Sequence, residues 1–370
     1  MATEDAIVVG GPHHAPATSR RRTAIVAVVV AVVVIGVWRT LTWPLDYFAF
    51  SPGSATPTVG LVDVVGSEAF PPEGELYFTT VSSRTVTVLD WIAAQFDPAI
   101  ELRSTDEVLG GRTNDERREQ NRAAMLSSQD VAEIVALRHL GFDVVEFLGA
   151  SVVQVGEDTA ADGVLEPGDV VVEAEGAAIT TQIELVDAVR ALEPGDELDL
   201  VVRDLDGAES ETSVILGEND EGNALLGVSV VTDWAQVADP PVEVQIDAGS
   251  IGGPSAGLAW TLTILDVLTP GELTGENRVA VTGTMELDGT VGPIGGVVQK
   301  TFAVREQGID VFIVPSVDAP DAESVAGDDV LIVGVDNLDD ALAALDELGG
   351  NALALEAPGE LAAGVDEPQG

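Results

Sequence analysis

The 370-residue chain carries 64 acidic against 16 basic side chains, a formal net charge of −48 at pH 7. Such a surface repels phosphates, which excludes nucleic acid as a partner, and it fits a high-salt setting in which screening weakens self-repulsion. With 46% hydrophobic residues and no cysteine, the chain has ample core for two or three domains but no means to build a disulfide, a zinc–thiolate site or a cysteine nucleophile.

Reading from the N-terminus, a tail with His13 and His14 leads to "SRRR" (Ser19 to Arg22) and then to an apolar run from Thr23 to Trp38. The run alone is shorter than the roughly 20 residues a spanning helix needs. Continued through Leu45 it is long enough, with Arg39 snorkelling and Trp38 and Trp43 suited to the interface. Residues 23–45 are therefore expected to form an uncleaved signal anchor; a cleaved signal peptide is the competing reading. Arg20, Arg21 and Arg22 keep residues 1–22 cytoplasmic by the positive-inside rule, which places the rest outside the cell membrane. Within the extracytoplasmic segment 46–142, "GELYFTTVSSRTVT" alternates as a strand and a helix is expected from Val88. The polar stretch after it reads as an exposed helix, and His139 ends "DVAEIVALRHLGF" as a C-terminal helix cation, not a base.

From Asp143 to Leu216 the pattern changes to short strands separated by turns. "VVEFLGASVVQV" and "VLEPGDVVVEAEG" read as strands, "TQIELVDAVRAL" as an amphipathic helix and "PGDELDLVVRDLDGAESETSVIL" as a closing hairpin. With its LxxGDxVxxxxG signature (Leu165, Gly168, Asp169, Val171, Gly176), segment 143–217 resembles a PDZ domain of the bacterial protease-associated type. The resemblance implies a peptide-binding site: Leu148, Gly149 and Ala150 as the carboxylate-holding loop, Leu185 and Val189 lining the groove. A PDZ-shaped spacer with no ligand is the alternative.

Two further segments carry chemistry. "EVQIDAGSIGGPSAGLAW" reads as a strand, a glycine-rich turn and a helix from about Ala256, which puts Ser255 at a helix N-terminus where amides favour developing negative charge. A helix cap or a phosphate-cradling loop has the same local pattern. In "RVAVTGTMELDGTVGPIGGVVQK", Arg278 to Leu287 reads as a strand, Asp288-Gly289 as a turn, and a helix then carries Lys300, the chain's one lysine. A serine needs a neighbouring base, and with no usable histidine the candidates are carboxylates and Lys300, whose flanks Val297, Val298 and Phe302 are apolar. Arginine cannot take that role because it does not deprotonate.

"GGPSAG" followed by "TGTMELDGTVGPIGGVVQK" resembles the proteolytic domain of Lon peptidases over about residues 225–347. The resemblance implies Ser255 as nucleophile, Lys300 as general base and Thr282 as the residue that holds the lysine amine. The oxyanion turn would comprise Gly253, Pro254 and Ala256, with the amides around Ser255 as donors. Two departures are visible: Gly252 stands where many Lon enzymes have aspartate, and Thr284 where they have the glutamate of TGE. The related domains assemble as rings, which implies a homo-oligomer, a hexamer by resemblance.

The fold class expected is α+β: a Lon-type proteolytic domain and a PDZ β-sandwich or barrel, preceded by one transmembrane helix, with residues 348–370 as an acidic tail. The sole lysine follows glutamine, so these residues contain no GK[ST] phosphate loop. No metal or cofactor is expected; "GEDTAADGVLEPGD" lacks the EF-hand spacing. The partners expected are unfolded or flexible proteins and peptides, with the membrane reached through the N-terminal helix. The function expected is ATP-independent Ser–Lys endopeptidase activity, the PDZ domain capturing substrate termini. A non-catalytic, membrane-tethered PDZ scaffold is the alternative from another class.

Overall fold

The computed structural model describes residues 17–66, 69–70, 74–219, 221–238, 240–249, 251–275 and 277–355. Of the two expected tails, residues 1–16 and 356–370 lie outside the described residues. The chain divides into two compact units, Met1–Ser51 with Ser82–Gly111, and Pro52–Val81 with Arg112–Gly370.

The N-terminal third contributes α1 (Ala17–Leu41), β1 (Pro44–Pro57), β2 (Val62–Val65), β3 (Glu75–Thr87) and α2 (Val88–Ala94). It continues with β4 (Glu101–Ser104), α3 (Thr105–Leu109) and α4 (Asn114–His139). Within α1, residues Arg22–Leu41 are long and apolar enough to cross a membrane. The helix stops short of the expected Leu45 because Pro44 cannot continue it and opens β1 instead. In the first unit, Tyr47 to Phe50 of β1 pair antiparallel with Glu101 to Ser104 of β4. The strand-to-helix switch at Val88 occurs as expected and has a local cause. Thr87 accepts from the Asp90 amide, while the Asp90 carboxylate accepts from the Thr87 amide, a capping box.

In the second unit, residues 145–236 surround a small apolar core. They form β5 (Val145–Val155), β6 (Val170–Ala174), β7 (Ala177–Ala178), α5 (Gln182–Arg190), β8 (Glu197–Arg203), β9 (Glu209–Ile215), β10 (Gly217–Glu218), β11 (Ala224–Leu225) and β12 (Val228–Gln236). The sheet order is β12–β5–β6–β8–β9. Inward residues such as Val152, Val171, Leu198, Leu200 and Val214 meet Leu185 of α5 in one cluster, the alternation a one-faced antiparallel sheet dictates. Gly149 sits inside β5 because a Cβ there would lie 2.5 Å from the Val171 carbonyl oxygen of β6.

The rest of this unit is β13 (Glu243–Ile246), α6 (Gly257–Leu268), β14 (Arg278–Val281), β15 (Thr284–Met285), β16 (Val291–Gly292), α7 (Val297–Glu306), β17 (Val311–Pro315), α8 (Ala319–Ala326), β18 (Leu331–Val335) and α9 (Leu338–Glu347). Strands β3, β14, β17 and β18 are parallel neighbours. Successive side chains face opposite layers: Val279, Val281, Val311 and Ile313 join α4, α6 and α9 in one core. Ala280, Phe312 and Val314 join α7 and α8 in the other. The long strand expected over Arg278–Leu287 is interrupted after Val281. Thr282 and Gly283 turn their hydrogen bonds to the Ser255 carbonyl, and the chain resumes as a hairpin of β15 with β16.

Candidate active site

Thr282 lies at the carboxyl end of β14, the position in a parallel sheet where loops from both faces converge. From one face comes α6, whose N-terminal turn holds Ser255; from the other comes α7, which carries Lys300. Lys300 Nζ lies 2.9 Å from Ser255 Oγ and 2.7 Å from Thr282 Oγ1. Thr282 Oγ1 donates its single proton to the Ser255 carbonyl oxygen at 3.0 Å, so it is left an acceptor toward the lysine amine. With one amine hydrogen on Thr282, the nitrogen lone pair of a neutral Lys300 is available to the Ser255 hydroxyl. The expected trio is therefore one contiguous hydrogen-bonded group.

Burial sets its electrostatics. Lys300 is 2% exposed and Thr282 is fully buried, whereas Ser255 is partly open to solvent. Desolvation disfavours the ammonium and brings the Lys300 pKa from 10.5 down to about 7, with Asp318 pulling in the opposite direction through its charge. Asp318 is fixed by accepting the Ile294 amide at 2.9 Å, just ahead of α7. The overall charge of −48 does not decide the protonation state here; local dehydration does.

The turn before α6 is held from outside the segment in which the dyad was read. Asn121 of α4 accepts from the Gly253 amide at 2.8 Å through its backbone carbonyl, and Ser128 Oγ of the same helix donates to the Pro254 carbonyl at 3.1 Å. Gly253 has φ +98, a left-handed conformation that glycine adopts without strain. A Cβ at Gly252 would stand 3.1 Å from Asn121 Cβ, so close packing on α4 explains glycine where related enzymes carry aspartate. These contacts correct the expected oxyanion turn. Gly253 has already committed its amide, and Pro254 has none. The amides of Ser255 and Ala256 donate to no acceptor among the described residues. Asn121, Ser128 and Asp318 escaped sequence reasoning, since nothing in their local pattern shows what they pack against.

The peptide-binding residues are also placed differently. Leu148, Gly149 and Ala150 form no loop: they lie within β5, which is flanked by β12 on one side and β6 on the other. β12 pairs along β5, and β6 pairs with it at Ala150 and Ser151. Leu185 is 1% exposed, in the core under the sheet, and Val189 packs on that core from its margin. The edge strands are β12 and β9, and β12 adjoins α5 through a bond from the Gln182 amide to Thr232 Oγ1 at 3.1 Å.

Residues 229–346 match the family model of the Lon protease (S16) C-terminal proteolytic domain, and residues 108–216 match that of the PDZ domain. The PDZ match begins upstream of the small core, although α4 packs in the larger one through Met125, Ala132, Val135 and Leu137. Lon protease of Roseiflexus castenholzii is 32% identical over 120 residues, 31% of this chain and 14% of that protein. Lon protease 1 of Herpetosiphon aurantiacus is 35% identical over 129 residues, 34% of this chain and 15% of that protein. The chain thus spans about one-seventh of the length of these relatives. The PDZ domain of an SdrC-like protein from Listeria innocua aligns at 25% identity with 22% of this chain and 93% of its own, with a TM-score of 0.21. This chain therefore combines a Lon-type proteolytic domain with a PDZ domain.

Proposed function

We propose that this protein is a membrane-anchored serine endopeptidase that cleaves unfolded or flexible extracytoplasmic proteins without ATP. The observation that carries the reading is the 2.9 Å approach of a desolvated lysine amine to a serine hydroxyl at a helix N-terminus. Neutral Lys300 takes the Ser255 proton as Oγ attacks the scissile carbonyl, and the amides of Ser255 and Ala256 receive the developing oxyanion. The Lys300 ammonium then returns that proton to the departing amine, leaving an acyl-serine. A water gives its proton to Lys300 as it attacks the ester, and the regenerated ammonium reprotonates Ser255. Thr282 keeps the amine aimed throughout.

In this reading α1 is the anchor, with its N-terminus cytoplasmic. The extended terminus of a substrate adds to the outer edge of β12, the strand just after the PDZ segment that completes its sheet beside α5. Peptide capture supplies what the 370 residues lack in a GK[ST] motor loop: a supply of chain already unfolded.

The test is hydrolysis of a permanently unfolded, fluorescently labelled protein by the full chain in detergent or vesicles, beside Ser255→Ala and Lys300→Arg. Turnover by the native chain and its loss in both variants is expected. Equal turnover in all three removes the dyad; no turnover in any, with peptide binding intact, leaves a tethered binding protein.

A further inference from the structure

The first unit exposes an apolar stripe that no other described residue covers. Leu89, Ile92, Ala93 and Phe96 follow the i, i+3, i+4, i+7 spacing that normally faces a core. Here Leu89 is 53%, Ile92 43% and Phe96 84% exposed, and the buried residue of α2 is Ala94 on its other side. The stripe lies at the exit of α1. The Val88 amide, first residue of α2, donates to the Trp43 carbonyl at 3.1 Å, and Trp43 is two residues past the last residue of α1. Trp38 and Trp43, at and just past the end of α1, are both exposed. Tryptophan concentrates where hydrocarbon gives way to headgroups.

We infer that α2 and the turn that follows it lie in the headgroup–acyl boundary of the extracytoplasmic leaflet, with Leu89, Ile92 and Ala93 of the helix and Phe96 of the turn facing lipid. The inference rests on the reading of α1 as an anchor and adds a second, lateral contact with the same bilayer. Two features select lipid as the occupant. A spanning α1 fixes the bilayer surface near Leu41, and the Val88–Trp43 bond holds α2 at that level. The helix is short, carries one acid (Asp90, paired with Arg84 at 3.0 Å) and has no base, which suits zwitterionic headgroups. A charge of −48 argues against anionic lipid. The consequence is orientational: an anchor alone swivels freely, whereas an anchor plus a surface-bound helix holds its own unit in one attitude to the membrane.

The absence of cysteine makes the test clean, since any introduced thiol carries the sole label. The full chain bearing Ala93→Cys, Phe96→Cys, Gln95→Cys or Val30→Cys is nitroxide-labelled and reconstituted in phosphatidylcholine vesicles. Collision with oxygen, which enters lipid, is then compared with collision with a nickel chelate, which stays in water. Expected is a several-fold higher oxygen-to-nickel ratio at Ala93→Cys and Phe96→Cys than at Gln95→Cys, the polar C-cap position at the margin of the stripe, with Val30→Cys higher still. Ala93→Cys leaves the three large apolar side chains intact, and Phe96→Cys repeats the measurement at a second site. A lipid signal at position 30 with water access at 93 and 96 overturns the inference and leaves the anchor standing. Shielding of 93 and 96 from both relaxants means a protein partner, such as a second copy, and also overturns it. Water access at position 30 removes the anchor reading itself, and the inference with it.

Discussion

Lys300 provides the sharpest test of the physical argument. An ordinary lysine, pKa about 10.4, is neutral in only about 4 molecules per 10,000 at pH 7. With desolvation bringing its pKa to about 7, half of Lys300 is neutral there. That is an increase in free base of roughly a thousandfold, within the range general-base catalysis supplies. The assay is kcat/KM on an unfolded reporter from pH 5 to 9. It is expected to rise about tenfold per pH unit below about 7 and to level above it. Lys300→Arg keeps a cation at full charge and loses at least about a hundredfold. Stability also rises with pH, but over a higher window. Because the folded-state pKa lies below the unfolded value, the folded state holds fewer protons between about pH 7 and 10.5, and stability falls as pH drops through that window. Below pH 7 the cost reaches at most about 5 kcal/mol, so Lys300→Met is expected to melt higher than the native chain at pH 6 while being inactive. A flat activity profile between pH 5.5 and 8, or a Lys300→Met variant no more stable at pH 6, refutes the reasoning.

Three further outcomes follow from neighbouring contacts. Asp318→Asn keeps an acceptor for the Ile294 amide but removes the charge that favours the Lys300 ammonium, so the acid limb of the pH profile shifts to lower pH; an unmoved limb contradicts it. Gly252→Asp drives a Cβ against Asn121 on α4 and is expected to cost about 1–3 kcal/mol of stability with a matching loss of activity, read by thermal unfolding and turnover together. Asp266, buried in α6, has its pKa raised from 3.8 to about 7, by desolvation first and then by Glu272. The folded state therefore retains a proton the unfolded state has lost, and stability falls as pH rises from about 4 to 7. Asp266→Asn is expected to change little at pH 4 and to stabilise by up to about 4 kcal/mol at pH 8; equal effects at both pH values would falsify the assignment.

What the sequence alone determined is what local rules govern. Period-two alternation marked Glu75–Thr87, and a threonine–aspartate capping box fixed the switch to helix at Val88. The GGPSAG turn and the sole lysine 45 residues beyond it named the pair that the fold brings to 2.9 Å. Its apolar neighbours anticipated the desolvation. What only the tertiary structure decided depends on which edges and faces meet. Leu148, Gly149 and Ala150 read as a loop because small residues interrupt an apolar run, yet they are strand interior, since β12, 70-odd residues later in the chain, pairs along β5. Gly253 belonged to the expected oxyanion turn, but α4, on the far side of the PDZ segment in sequence, takes its amide. Hydrogen bonds are exclusive: an amide spent on a distant carbonyl is lost to chemistry, and no local pattern records where that carbonyl will be.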